Sequence, residues 1–151
     1  MGEMLCMLFK KRVGLDIKII RPSTLFGVND FSGNRVLDIF LRSCLRNEPV
    51  TVFDANKVLR FTSVEDVYGA IKCQLRKNNT FKFQDGALNI VTPEKYSVLE
   101  LAQLIKTKTG STSEINCLAS ESGFVNKNGP ELDLISLNST VFLKDWLSSL
   151  T

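Results

Sequence analysis

The sequence predicts an α/β fold, and three observations support this prediction. Stretches in which apolar residues recur at helical spacing alternate with short apolar segments that are typical of buried strands. Two helix-start signals, Ser63 with Asp66 and Ser97 with Glu100, each precede a helical stretch. The chain has 151 residues, of which 44% are hydrophobic and 23% charged. That length and composition fit one globular domain or part of a larger one.

The first third of the chain predicts a helix, a strand and a second helix. Residues 3–12 form a short helix that is apolar around most of its circumference, so we expect burial on more than one side. Gly14 ends this helix, and residues 16–21 form a strand. That strand stops at Arg21-Pro22 because proline cannot donate a hydrogen bond to a sheet. Residues 34–47 predict a helix with the buried stripe Leu37, Phe40, Leu41 and Cys44.

The next segment predicts two short strands and a helix. Residues 50–53 and 59–62 are the strands, and the polar residues 54–57 form the turn between them. The helix that follows Ser63 has apolar residues at positions i, i+3, i+4, i+7 and i+11. We expect this stripe to face inward: Val64, Val67, Tyr68, Ile71 and Leu75.

The last part of the chain predicts two more strands and two helices. Residues 86–91 and 114–119 are strands, and residues 119–133 are a polar loop. The helix after Ser97 stops at Gly110 and buries Val98, Leu101, Ala102 and Ile105. Asn138 caps a final helix that turns Leu143, Trp146, Leu147 and Leu150 inward.

The composition also excludes several classes of function. The net charge is only +3 and no basic stripe is interleaved with aromatic residues, so nucleic acid is not an expected partner. There is no histidine, and the four cysteines form no Cys-x-x-Cys pair, so we expect free thiols and no metal site. No apolar run is long enough to span a membrane, and we expect a cytoplasmic protein.

Three segments, in order, resemble one family. GEMLCMLFKKRVGLDIKIIRPSTLFG, residues 2–27, is similar to the segment after the catalytic Tyr-x-x-x-Lys of extended short-chain dehydrogenases. These are the NAD-dependent nucleotide-sugar epimerases and dehydratases. Residues 34–73 and 88–105 resemble later segments of that family. The resemblance implies the C-terminal fragment of a Rossmann-like extended short-chain dehydrogenase that carries the small α/β substrate-binding domain.

The resemblance also implies a domain division and a function. Residues 1–27 would be the last helix and strand of the dinucleotide-binding domain, and residues 28–151 the substrate-binding domain, with a strand near 87–91 that returns to the first domain. The function implied is the substrate-binding portion of an epimerase, dehydratase or reductase acting on a UDP-, dTDP- or GDP-linked sugar. The complete enzyme would use NAD or NADP.

These 151 residues contain no glycine-rich dinucleotide loop, so we expect them alone to be inactive and to bind no cofactor. Tyr68 and Lys72 do have the Tyr-x-x-x-Lys spacing, but they lie on a predicted amphipathic helix without that loop upstream. Their expected roles are a core aromatic and a surface lysine. The alternative function is a non-catalytic binding or oligomerisation module, either a homo-oligomer or the partner of a separate N-terminal half.

The resemblance assigns the substrate contacts to five residues. Arg60 matches the arginine that grips the diphosphate, and a guanidinium fork suits phosphate oxygens; the alternative is a surface arginine paired with a nearby carboxylate. Thr24 stands where the family often has a substrate-binding asparagine. Val52 and Phe53 match the strand beside the base, with Phe53 either stacked on the base or in the core. Asn34 is a helix cap or a ligand.

The resemblance assigns the cofactor contacts to Pro22 and Ser23. Backbone groups at these positions approach the nicotinamide in the family. The alternative is a simple turn at the end of a strand. No metal ligand is assigned.

Overall fold

The computed structural model describes residues 2–27, 33–75, 87–119, 134–136 and 142–150. Helices and strands alternate along these residues, as the sequence predicts. The elements in order are α1 (Gly2–Val13), β1 (Ile19–Pro22), β2 (Thr24–Phe26), α2 (Val36–Leu45), β3 (Val50–Phe53), β4 (Val58–Ser63), α3 (Val64–Leu75), β5 (Ala87–Val91), β6 (Lys95–Ser97), α4 (Val98–Lys108), β7 (Ile115–Leu118), β8 (Leu134–Ser136) and α5 (Leu143–Ser148).

The described strands form three small sheets with mostly parallel pairing. One sheet has the order β1-β5-β8, the second β2-β4-β6, and the third pairs β3 with β7. Among the strand pairs in the described residues, only that of β4 with β6 is antiparallel. Parallel neighbours require crossover connections, and the helices between the strands supply them. The α/β prediction is therefore confirmed.

The main core lies where α2, α4 and α5 pack against β2, β3 and β4. The predicted stripes of α2 and α4 are buried, and so are Leu143 and Leu147 of α5. Phe26 of β2 packs its ring against Trp146, with centroids 5.6 Å apart. Local helical periodicity predicts these faces correctly because each helix has one strongly apolar side.

Helix α4 begins and ends with the predicted signals. The Ser97 hydroxyl accepts from the Glu100 amide, and the Glu100 carboxylate accepts from the Ser97 amide, so the capping box is complete. Gly110, two residues after the last helical residue, has φ +62°, a left-handed conformation that glycine adopts without strain. At α3 the Asp66 amide donates to the Ser63 hydroxyl at 3.0 Å, as the cap predicts.

Helix α5 is held to the core by Glu94. One carboxylate oxygen of Glu94 accepts from the Leu143 amide at 2.8 Å, and the other accepts from the Tyr96 hydroxyl at 2.6 Å. Burial, followed by the Glu94 hydrogen bond, raises the pKa of Tyr96. The N-cap of α5 is Phe142, and the predicted cap Asn138 lies outside the described residues.

The N-terminal helix is present but is not buried as expected. No residue of α1 is buried, and Met4 and Phe9 are 70% and 55% exposed. Gly14, with φ +70°, ends the helix as predicted. An ion pair joins Glu3 to Arg21 of β1, with Nε and Oε1 2.7 Å apart. The strand itself is shorter than predicted and starts at Ile19.

The predicted inward stripe of α3 is wrong except at Val67, which is half-buried. Asp66 and Ala70 are the buried residues of this helix, whereas Tyr68 and Leu75 are 63% and 83% exposed. Ala70 packs with Leu88 and Ile90 of β5, so the small residue faces the sheet and the large apolar ones face outward. A small residue at the contact lets a helix approach a sheet closely, and the hydrophobic pattern alone does not reveal this.

Strand β8 was not predicted, and it pairs in parallel with β5. Of the predicted loop 119–133, residues 120–133 lie outside the described part of the chain. None of the helices in the described ranges has the length and apolar character needed to cross a membrane.

Candidate functional site

A cavity of about 520 Å³ lies between α2 and the β3–β4 turn. Its wall is mostly apolar, and the polar residues that line it are Asn34, Ser43, Thr51, Asp54 and Lys57. The described lining residues are Asn34, Val36, Ile39, Phe40, Ser43, Pro49, Thr51, Phe53, Asp54, Lys57, Leu59 and Val98. A mostly apolar concavity with a few polar groups is typical of a small-molecule site.

Strand β3 places one of its two predicted substrate residues in this cavity. Val50 and Val52 point into the core, with Val52 fully buried, while Thr51 and Phe53 alternate to the other side. Phe53 is 54% exposed and lines the cavity, so the core alternative for this ring is wrong. The Val52 side chain is packed in the main core and does not line the cavity, and its contact with substrate stays a prediction.

The start of α2 leaves Asn34 available to the cavity. The N-cap of this helix is Arg35, so the predicted capping role of Asn34 is wrong. Arg35 Nε donates to Asp38 Oδ2 at 2.8 Å, and Arg35 Nη1 donates to the Leu25 carbonyl at 3.0 Å. The Asp38 hydrogen bond raises the pKa of Arg35. This anchored turn holds Asn34 at the cavity wall.

Strand β4 turns Leu59, not Arg60, toward the cavity. Leu59 is opposite Tyr96 in the β4–β6 ladder, and Arg60 is opposite Lys95. Side chains that are opposite each other share a face of the sheet, and successive residues alternate. Leu59 lines the cavity and packs against the main core, so Arg60 projects with Lys95 from the other face. The structure therefore does not bring Arg60 together with Asn34 and Phe53.

The predicted cofactor residues lie at the end of β1, apart from the cavity. Pro22 is exposed, and the Ser23 amide donates to the Ile90 carbonyl at 3.0 Å. The hydroxyls of Ser23 and Thr62 are 2.6 Å apart and hydrogen-bonded. Thr24 is half-buried and pairs with Phe61. These residues sit at the carboxyl end of a parallel strand, where open α/β sheets bind their ligands.

Tyr68 and Lys72 form a surface pair on α3. The Lys72 Nζ atom lies 5.9 Å from the centroid of the Tyr68 ring. Neither residue lines the cavity. The expected surface role of Lys72 agrees with its exposure, but the expected core role of Tyr68 does not.

The sequence reasoning missed Leu59 and Lys57 as lining residues. Strand alternation puts Leu59 and Phe61 on one face, but only the burial of Phe61 in the core reveals that this face is the inner one. Lys57 closes the turn between β3 and β4, and its sequence context predicts only a polar turn residue.

The chain is an α/β protein with mostly parallel sheets and a largely apolar cavity beside the β3–β4 turn. Residues 1–90 match the NAD dependent epimerase/dehydratase family, and the chain belongs to that family. The predicted resemblance is thereby confirmed.

Curated relatives carry related activities. Over 133 residues the chain is 26% identical to UDP-glucuronic acid decarboxylase 1 of Danio rerio. The matched region covers 87% of this chain and 31% of that protein. Over 118 residues it is 26% identical to dTDP-4-dehydro-6-deoxy-D-allose reductase of Streptomyces bikiniensis, with 76% and 35% covered. The chain thus spans about a third of the length of these relatives.

Solved structures share the fold. UDP-glucose 4-epimerase of Thermotoga maritima, solved with UDP-glucose, superposes with a TM-score of 0.73 at 26% identity, covering 97% of this chain and 48% of that one. UDP-glucuronic acid 4-epimerase of Bacillus cereus, solved with NAD, gives a TM-score of 0.72 at 22% identity, with 97% and 47% covered.

Proposed function

We propose that this chain is the substrate-binding portion of an NAD(P)-dependent nucleotide-sugar epimerase, dehydratase or reductase. The observation that carries the proposal is the cavity bounded by Asn34 and Phe53, in a chain of the epimerase/dehydratase family. Its volume of about 520 Å³ lies in the range of small-molecule sites. The Phe53 ring offers a half-exposed face for a nucleobase, and Asn34 offers a hydrogen-bonding amide.

The cofactor of the complete enzyme, NAD or NADP, would approach the carboxyl end of β1. Pro22, Ser23 and Thr24 lie at that end, and the Ser23–Thr62 hydrogen bond fixes the local backbone. The bound cofactor would exchange hydride with a carbon of the sugar. These 151 residues contain no glycine-rich loop for its phosphates, so we propose that by themselves they hold substrate without turnover.

Titration calorimetry of the purified 151-residue chain tests this function. We expect saturable binding of UDP-, dTDP- or GDP-linked sugars and no binding of free glucose. Phe53→Ala should weaken the binding, while Tyr68→Ala, which removes an exposed aromatic ring elsewhere, should leave it unchanged. The absence of binding by all three nucleotide-sugar classes would refute the proposal. Reduction of NAD by the chain mixed with a nucleotide-sugar would refute the lack of turnover.

A second candidate function is a non-catalytic oligomerisation module, and the surface of α1 favours it. Met4, Leu5, Leu8 and Phe9 are all at least half exposed. A contiguous apolar surface on a helix is a site of association. The occupant would be a second copy of this chain or a separate N-terminal half.

Sedimentation velocity separates this candidate from the first. Self-association at micromolar concentration, lost in the Leu5→Lys/Phe9→Lys variant, would support it. The matched variant Ile71→Lys, which changes an exposed apolar residue of α3, should not alter association. A wild-type chain that sediments as a monomer would exclude assembly with itself.

A further inference from the structure

The cavity has an unusual distribution of charge for a site that takes a diphosphate. Leu59 occupies the position in β4 from which a side chain reaches the cavity, and Arg60 projects from the opposite face of the strand. Of the described residues that line the cavity, only Lys57 is basic. A ligand with two negative phosphates held against apolar walls needs a positive partner, since an unpaired buried charge is costly.

Lys57 is set in a turn whose backbone is fixed on both sides. Its amide donates to the Asp54 carbonyl at 2.8 Å, and its carbonyl accepts from the Val98 amide at 2.9 Å. The Leu99 amide likewise donates to the Ala55 carbonyl at 3.1 Å. The first turn of α4 therefore clamps the β3–β4 turn in place. The backbone from which the Lys57 side chain extends is therefore held in place beside the cavity.

We propose that Lys57 binds the diphosphate of the nucleotide-sugar in this chain, in the role that Arg60 was predicted to have. This inference rests on the proposed function. An ammonium group is a point charge on a flexible stem and can reach phosphate oxygens from several positions, unlike a guanidinium fork. Asp54, which also lines the cavity, can accept hydrogen bonds from sugar hydroxyls and is unsuited to phosphate. Lys57 therefore recognises the phosphates, and Asp54 recognises the sugar hydroxyls.

The test compares a nucleoside with its diphosphate, since only the diphosphate carries the group that Lys57 would bind. Calorimetric titrations use uridine and UDP, thymidine and dTDP, and guanosine and GDP. The proteins are the wild-type chain, Lys57→Met, Lys57→Arg and the matched control Arg60→Met. In the series that binds, we expect Lys57→Met to weaken diphosphate binding by about tenfold to a hundredfold and nucleoside binding by less than about twofold.

The two control variants make the result specific. Lys57→Arg keeps the positive charge and should retain most of the diphosphate affinity, and circular dichroism should show that every variant is folded. Arg60→Met should change neither affinity. Equal diphosphate affinity for wild type and Lys57→Met would overturn the inference while leaving the proposed function standing. Loss of diphosphate affinity in Arg60→Met alone would also overturn the inference and leave the proposed function standing. Failure of all nucleosides and diphosphates to bind would overturn both.

Discussion

The hydroxyl groups of Ser23 and Thr62 lie 2.6 Å apart and join the segment that follows β1 to the C-terminal end of β4. Thr62 is fully buried, so its hydroxyl has no access to solvent. This bond links the β1-β5-β8 sheet to the β2-β4-β6 sheet at the carboxyl end of β1. It therefore couples the carboxyl end of β1, where we propose that the cofactor binds, to β4, the strand that carries Leu59.

Removing one partner of this bond should destabilise the chain. We expect Ser23→Ala to lower the free energy of unfolding by about 1–3 kcal/mol, because it leaves the Thr62 hydroxyl buried without a partner. The double variant Ser23→Ala/Thr62→Val should lose less than the sum of the single variants. Urea unfolding followed by the fluorescence of Trp146, the single tryptophan, measures these values. Additive losses would contradict the coupling.

The Arg35–Asp38 pair should stabilise the start of α2. Asp38 is buried, and it accepts from Arg35 Nε at 2.8 Å and from Nη2 at 3.1 Å. We expect Asp38→Ala to cost about 1.5–3 kcal/mol in urea unfolding, since hydrogen bonds to a charged group are lost. The control is Asp16→Ala, which removes an exposed carboxylate 3.7 Å from Lys18 and should cost less than about 0.5 kcal/mol. Equal costs for the two would exclude a special role for Asp38.

The capping box of α4 should make the stability of the fold depend on pH in the acidic range. The hydrogen bond from the Ser97 amide lowers the pKa of Glu100 in the folded chain. A carboxylate whose pKa is lower when folded stabilises the fold above its unfolded pKa, and this contribution is lost as the pH falls through the folded pKa. Glu100→Gln removes the titrating group but can keep the hydrogen bond. The difference in stability between wild type and Glu100→Gln should shrink as urea titrations move from neutral to acidic pH, and a constant difference would be evidence against the box.

Cys44 should be the least reactive of the four thiols. Burial raises the pKa of Cys44, so little of the nucleophilic thiolate forms, whereas Cys73 and Cys117 are exposed. We expect Cys44→Ser to leave the fast phase of labelling by a disulfide reagent unchanged. Cys73→Ser should reduce that phase, and denaturant should release one additional thiol in wild type. Loss of fast labelling in Cys44→Ser would show that this thiol is accessible.

Helix α5 should contribute to the core through Leu147. This side chain is fully buried in the main core, where α5 packs against α4. Leu147→Ala should lower the free energy of unfolding by about 2–5 kcal/mol, the usual cost of a cavity in a packed core. Leu75→Ala, at a position 83% exposed, should change it by less than about 0.5 kcal/mol. Similar effects of both variants would mean that α5 does not pack as described.

The sequence by itself determined the features that depend on near neighbours along the chain. The buried stripes of α2 and α4 follow from apolar spacing, and the Ser97–Glu100 box needs only residues three apart. The family resemblance was also visible in the sequence, because short similar segments follow one another in the same order as in the family. The outward face of α3 and the pairing of β8 with β5 required contacts between residues that are distant in sequence.

Only the tertiary structure decided which side of β4 faces the cavity. Leu59 and Arg60 are neighbours, and a shift of one residue moves every side chain of a strand to the opposite face. The residue types along β4 are compatible with either face of the strand turned inward, because Leu59 and Arg60 can each occupy a partly exposed position. The burial of Phe61 in the main core, with its ring beside that of Tyr96, selects one register. That packing turns Leu59 inward, leaves Arg60 beside Lys95, and makes Lys57 the basic group at the cavity.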